Sequence, residues 1–134
     1  QEIKRRYPRH KIRAYPDPAG RARKTSAAGG VTDFTILEQA GFIVLAPASH
    51  PAVADRINEV QAMFLNASGD VRMFVHPRCK ELIRCLDGLT YKKGTSQPDK
   101  TLGLDHLPDA LGYLVHYEFP IRKPVTDIKI SFAV

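Results

Sequence analysis

Tyr15-Pro16-Asp17-Pro18-Ala19-Gly20-Arg21-Ala22-Arg23-Lys24 is the stretch on which the reading of this chain turns. Pro16 and Pro18 bracket Asp17, and a residue before proline is pushed out of the α region into extended geometry. Ile12, Ala14 and Pro16 alternate with Lys11, Arg13 and Tyr15, which predicts a short strand over residues 11–16 ending at Asp17. A carboxylate pinned at a strand end, followed by glycine and three cations, suits a metal-dependent phosphodiester enzyme. The competing reading is a solvated turn, since Asp, Pro and Gly are ordinary turn residues.

Outward from that stretch, 134 residues with 43% hydrophobic and 25% charged side chains predict one globular domain with a real core. A formal charge of +6 and a pI near 9.5 point to a polyanionic partner. Charge alone does not separate nucleic acid from an acidic membrane surface. No apolar run reaches the length of a membrane span and no secretory pattern is present, so a cytoplasmic protein is expected. Cys79 and Cys85 match no zinc spacing and read as reduced core or boundary thiols. The nucleotide-binding Gly-x-x-x-x-Gly-Lys-Ser/Thr loop is missing.

Taken in order, residues 2–7 read as the end of a basic helix stopped before Pro8. Residues 19–31 read as a small, basic surface loop. Thr32 caps a helix whose Phe34, Leu37 and Ala40 recur three apart and which stops at Gly41. Residues 42–45 predict a buried strand. Val53, Ile57, Val60 and Phe64 mark a helix over about 51–65. A turn at 66–70 leads to a predicted strand over 71–75. Pro77 opens a helix over 78–86 with Cys79, Leu82, Ile83 and Leu86 inward. Residues 91–101 form a loop, Leu107, Leu111, Leu114 and Val115 define a long helix, and Ile128, Ile130, Phe132 and Val134 predict a final strand. This interleaving indicates an α/β class.

A second acidic motif opens the long helix: Gly103-Leu104-Asp105-His106-Leu107-Pro108-Asp109-Ala110-Leu111-Gly112-Tyr113. Proline belongs in a helix's first turn, so Pro108 places the start close to Asp109. There the positive end of the helix dipole favours an ionised carboxylate able to bind metal. Asp105, just upstream, either caps the helix or joins a site, and capping is also the alternative for Asp109. On a helix regular from Asp105 onward, both aspartates project away from the leucine stripe. His106 is a candidate substrate contact, with simple solvation as its alternative.

The Asp17–Gly20 and Asp105–Tyr113 motifs, together with Gly30–Leu37 and Val71–Arg84, resemble the C-terminal nuclease domain of phage large terminase subunits. The likeness runs in order over nearly the whole chain. It implies a ribonuclease H-like mixed sheet flanked by helices, with a cluster of acids binding two Mg²⁺ or Mn²⁺ ions. It also implies an endonuclease in a bacterial host that cuts concatemeric viral DNA, working with an ATPase domain, a portal and a small terminase subunit. By position Asp17 looks like that family's acid at the end of the fourth strand, and Asp109 like the acid on the final helix. No acid upstream of Asp17 fits the family's first one, so the first strands are expected to be lacking. The isolated chain is then expected to cut weakly or not at all, with an open sheet edge able to pair with a second copy.

The resemblance implies two-metal hydrolysis, one ion activating water and the other stabilising the leaving 3′ oxygen. Hard cations take oxygen ligands, which makes Asp17, Asp109 and, less centrally, Asp105 the expected metal residues. Arg21, Arg23, Lys24, Lys92, Lys93 and Lys100 are the expected contacts to the backbone of double-stranded DNA, giving affinity without sequence choice. Each is also an ordinary surface cation. The alternatives are a non-catalytic DNA- or partner-binding module and another ribonuclease H-like nuclease of the resolvase or integrase type.

Overall fold

The computed structural model describes residues 2–22 and 30–121. Arg23, Lys24 and the final strand expected at Ile128–Val134 lie outside the described residues.

The described chain is mixed α/β: five α-helices and one two-stranded parallel sheet. Helix α1 (Glu2–Arg6) is held locally by Glu2, which accepts from both Arg5 and Arg6. It docks through Lys4, whose Nζ donates to the Gly41 carbonyl at 2.7 Å and lies over the Phe42 ring. Strand β1 (Arg13–Ala14) feeds a 3₁₀ turn at Pro18–Arg21. Gly20 is needed there: a Cβ at this position would come within 2.8 Å of the Phe34 ring. Helix α2 (Asp33–Gln39) starts as expected at Thr32, which exchanges a reciprocal pair of capping bonds with Thr35. Strand β2 (Ile43–Val44) pairs with β1 in the register Arg13↔Ile43 and Ala14↔Val44.

Helix α3 (Val53–Phe64) and helix α5 (His106–Glu118) make the most extensive contact among the described elements. Between them Val60, Met63 and Val115 form the core, with Phe64, Met73, Leu111 and Leu114 packed around it. Helix α4 (Lys80–Gly88) covers the α5 side. No described helix is long and apolar enough to cross a membrane.

Four expectations need correction. Residues 71–75 are not a strand: the Arg72 and Met73 N–H groups both donate to the Met63 carbonyl at 2.9 Å, so the segment hangs from the end of α3. The strand at 42–45 is not buried either, because Ile43 is 44% exposed. Helix α4 begins at Lys80 rather than Arg78, since a turn closed by Cys79 N–H on the His76 carbonyl delays it, and Cys79 ends up exposed. The stripe on α3 is also shifted. Arg56 and Glu59 are buried with Val60 and Met63, while Val53 faces out.

Candidate functional site

Asp17 leaves β1 extended, with φ −57° and ψ 130°. Its Oδ1 accepts the Ala19 N–H at 2.8 Å, so the predicted turn and the predicted carboxylate are one feature. His50 Nδ1 lies 3.4 Å from the same oxygen. The Tyr113 hydroxyl, from the middle of α5, is among the groups that act on this carboxylate. Burial pushes the Asp17 pKa up. The Ala19 N–H, the Tyr113 hydroxyl and the charges of His50 and Arg56 outweigh it and hold the group below the usual carboxylate range. Burial, reinforced by Asp17, raises the Tyr113 hydroxyl in turn.

The second motif arrives from α5. Asp109 sits in the helix's first turns and takes Nη1 of Arg56 on Oδ1 at 3.0 Å. Asp105 directly precedes α5 but makes no side-chain cap; it is only 5% exposed and pairs with Lys100 Nζ at 3.2 Å. The same ammonium is 3.9 Å from Asp109. Burial raises the Asp105 pKa, and bonding to its own N–H and to Lys100 more than reverses this, leaving it lowered. Asp105 keeps helical geometry, its carbonyl accepting the Asp109 N–H at 2.8 Å, yet its carboxylate is buried beneath its pairing with Lys100.

Arg56 connects the two motifs. Its guanidinium stacks 4.4 Å from the centre of the Tyr113 ring while Nη1 holds Asp109. Tyr113 feels the charges of Asp17, Asp109 and Arg56 together. Gly112 makes room for this, since a Cβ there would stand 3.3 Å from Arg56 Nη1. Beside Arg56 and Asp109 a cavity of about 480 Å³ opens between α3, α4 and α5, with Ile57, Val60, Leu86 and Tyr91 among its walls.

Of the expected DNA contacts, Arg21 is engaged internally: its guanidinium donates to the carbonyls of Ala46, Pro47 and Ala48 and lies over Phe34. Lys100 is committed to Asp105 and Asp109. Lys92 and Lys93 are exposed in a narrow loop closed by Lys92 N–H on the Gln97 carbonyl. His106 is exposed at the start of α5.

Among the described residues no group of three or more His, Cys, Asp or Glu is placed to hold a metal ion. Asp105 and Asp109 are balanced by protein cations, so the described residues do not by themselves fit a two-ion centre. Arg56, Tyr113 and the buried Glu59–His116 pair, 2.7 Å apart, went unread in the sequence. A signal existed: Arg56 and Glu59 fall at core spacing with Val60 and Met63, where charged residues are rarely buried without a partner. No protein-family model, curated protein or solved structure matches the chain.

Proposed function

We propose that this chain supplies two acids to a metal-dependent DNA endonuclease of the terminase large-subunit type, on a ribonuclease H-like sheet. One observation carries the reading. Asp17, three residues past strand β1, and Asp109, on the last described helix, both feel the charge of Arg56, whose Nη1 pairs with Asp109 at 3.0 Å, although they lie far apart in sequence. An ordinary turn and an ordinary helix start have no reason to share a cation. The formal charge of +6 and the exposed Lys92 and Lys93 suit a phosphate backbone. A working centre needs at least one further oxygen ligand from outside the described residues, and Mg²⁺ or Mn²⁺ would supply the water-activating and charge-stabilising chemistry there.

A second reading is favoured by the pairing of Asp105 and Asp109 with Lys100 and Arg56: a module that holds DNA or a packaging partner without cutting. Nicking of supercoiled plasmid in Mn²⁺ by the full-length protein separates the two. Asp109→Asn abolishes nicking and leaves DNA binding near normal if the nuclease reading holds. Undiminished cutting by that variant overturns it.

A further inference from the structure

The hairpin over residues 90–99 stands between two cavities. It is pinned by the Lys92 N–H on the Gln97 carbonyl at 2.8 Å and the Asp99 N–H on the Thr90 carbonyl at 2.7 Å, around a bridge between Tyr91 and Pro98. On one side lies the cavity of about 480 Å³ beside Asp109, with Tyr91 and Pro98 in its wall. On the other, a cavity of about 440 Å³ opens toward the start of α3, and Pro98 lines it too.

The two cavities differ in chemistry. The first is mostly apolar, walled by Ile57, Val60, Ile83, Leu86 and Leu89, with Gln61, Asp87 and Thr90 adding polar groups. The second is lined by Lys92 and Lys100 with Ser96 and Gln97, and no acid stands among its described walls. Lys92 is exposed. Lys100, whose side chain is 61% exposed, has donors beyond the one it gives Asp105.

A ligand that suits both cavities has an apolar body with a polar edge and an anionic end. An alkyl tail would take water off Gln61, Asp87 and Thr90 and give no bond in return, which costs free energy. A nucleobase carries donors and acceptors on its edge, and its face stacks on an aromatic ring. Tyr91, 48% exposed, offers such a ring at the cavity wall. The phosphate then falls to the lysines on the far side of Pro98 and away from Asp87.

We propose that this hairpin seats one unpaired nucleotide of a DNA strand, its base in the apolar cavity against Tyr91 and its phosphate at Lys92 and Lys100. In duplex DNA this nucleotide is one turned out of the stack. Asp109 lines the same cavity, so a strand held there passes the candidate acid. Such a seat presupposes the DNA binding proposed above and is independent of cleavage.

Fluorescence anisotropy without metal tests it, comparing two labelled single strands of equal length and charge, one of thymidine and one of abasic sugars. The thymidine strand binds tighter by at least about fivefold, the lower end of what one stacked base contributes. Tyr91→Ala removes that advantage, and Tyr91→Phe, which keeps the ring, retains it. Lys92→Ala weakens both strands alike and lowers the salt slope by about 0.7.

Equal binding of the two strands by the wild type overturns the proposal, with no variant needed. So does a thymidine advantage that survives Tyr91→Ala, or a salt slope unchanged by Lys92→Ala. Uptake of a fluorescent fatty acid that depends on Tyr91, while thymidine binding does not, assigns the cavity to a lipid tail and also overturns it. Absence of nicking with the thymidine advantage intact sinks the nuclease reading alone. Nicking with equal binding of the two strands sinks the nucleotide seat alone.

Discussion

Between α3 and α5, Val115 is fully buried against Val60 and Met63, whereas on β2 Ile43 stays 44% exposed. Both regions contribute an acid to the candidate site: Asp109 comes from the helix pair and Asp17 from the end of the strand pair. The helix pair is anchored by burial. The strand pair has two residues per strand and is fastened to α5 by polar ties, among them the Tyr15 hydroxyl on Glu118. The contrast shows how a site can depend on a rigid element and a lightly covered one at once. Placement of Asp17 relative to Asp109 then falls to such ties instead of to a shared core.

The sharpest way to break this comparison is to open a cavity on each side. Met63→Ala is expected to cost about 2–4 kcal/mol in chemical denaturation, in the range of buried large-to-small changes. Ile43→Ala, at a half-exposed position, costs under about 1 kcal/mol, as surface changes do. Equal losses would mean that the sheet carries core weight it does not show.

Glu59 comes next. It is 4% exposed and accepts both His116 Nδ1 and the Ile121 N–H. Glu59→Ala leaves both groups short of a partner and is expected to cost about 1–3 kcal/mol. A neutral result would show that the end of α5 does not lean on α3. Thr32→Ala, on the strand side, removes the capping exchange with Thr35 and is expected to cost about 1 kcal/mol.

The smallest effect is the pH dependence of the acids themselves. Asp17 and Asp105 both titrate below the usual carboxylate range in the folded chain. Folding therefore favours their charged forms. The stability they contribute is complete above about pH 4 and is lost as pH falls through their lowered values. Urea midpoints should drop on acidification below that pH, and the drop should be smaller in Asp105→Asn. An identical acid limb in the variant would remove Asp105 from the account.

Local signals were legible where the chain decides by itself. The Thr32 cap, the Asp17 turn and the Asn66–Asp70 turn depend on neighbours a few residues away, and the sequence states them. Residues 71–75 have strand composition, yet their N–H groups found the Met63 carbonyl, a partner that composition does not specify. The acids were legible as motifs because proline and helix-start geometry constrain them. The Arg56–Tyr113 stack was not, because it exists only once α3 crosses α5 at Gly112. Likewise the basic residues were legible as charge but not as tasks: Arg21 and Lys100 serve carbonyls and carboxylates inside the fold.

The account's central claim is that two carboxylates distant in sequence act as one site. It is tested most directly by plasmid nicking in Mn²⁺ with Asp17→Asn, Asp109→Asn and the double variant, all in the full-length protein. Groups acting as a unit are non-additive, so each single change should abolish cutting about as fully as both together. If either single variant cuts like the wild type, or the losses simply multiply, the two motifs do not form one centre.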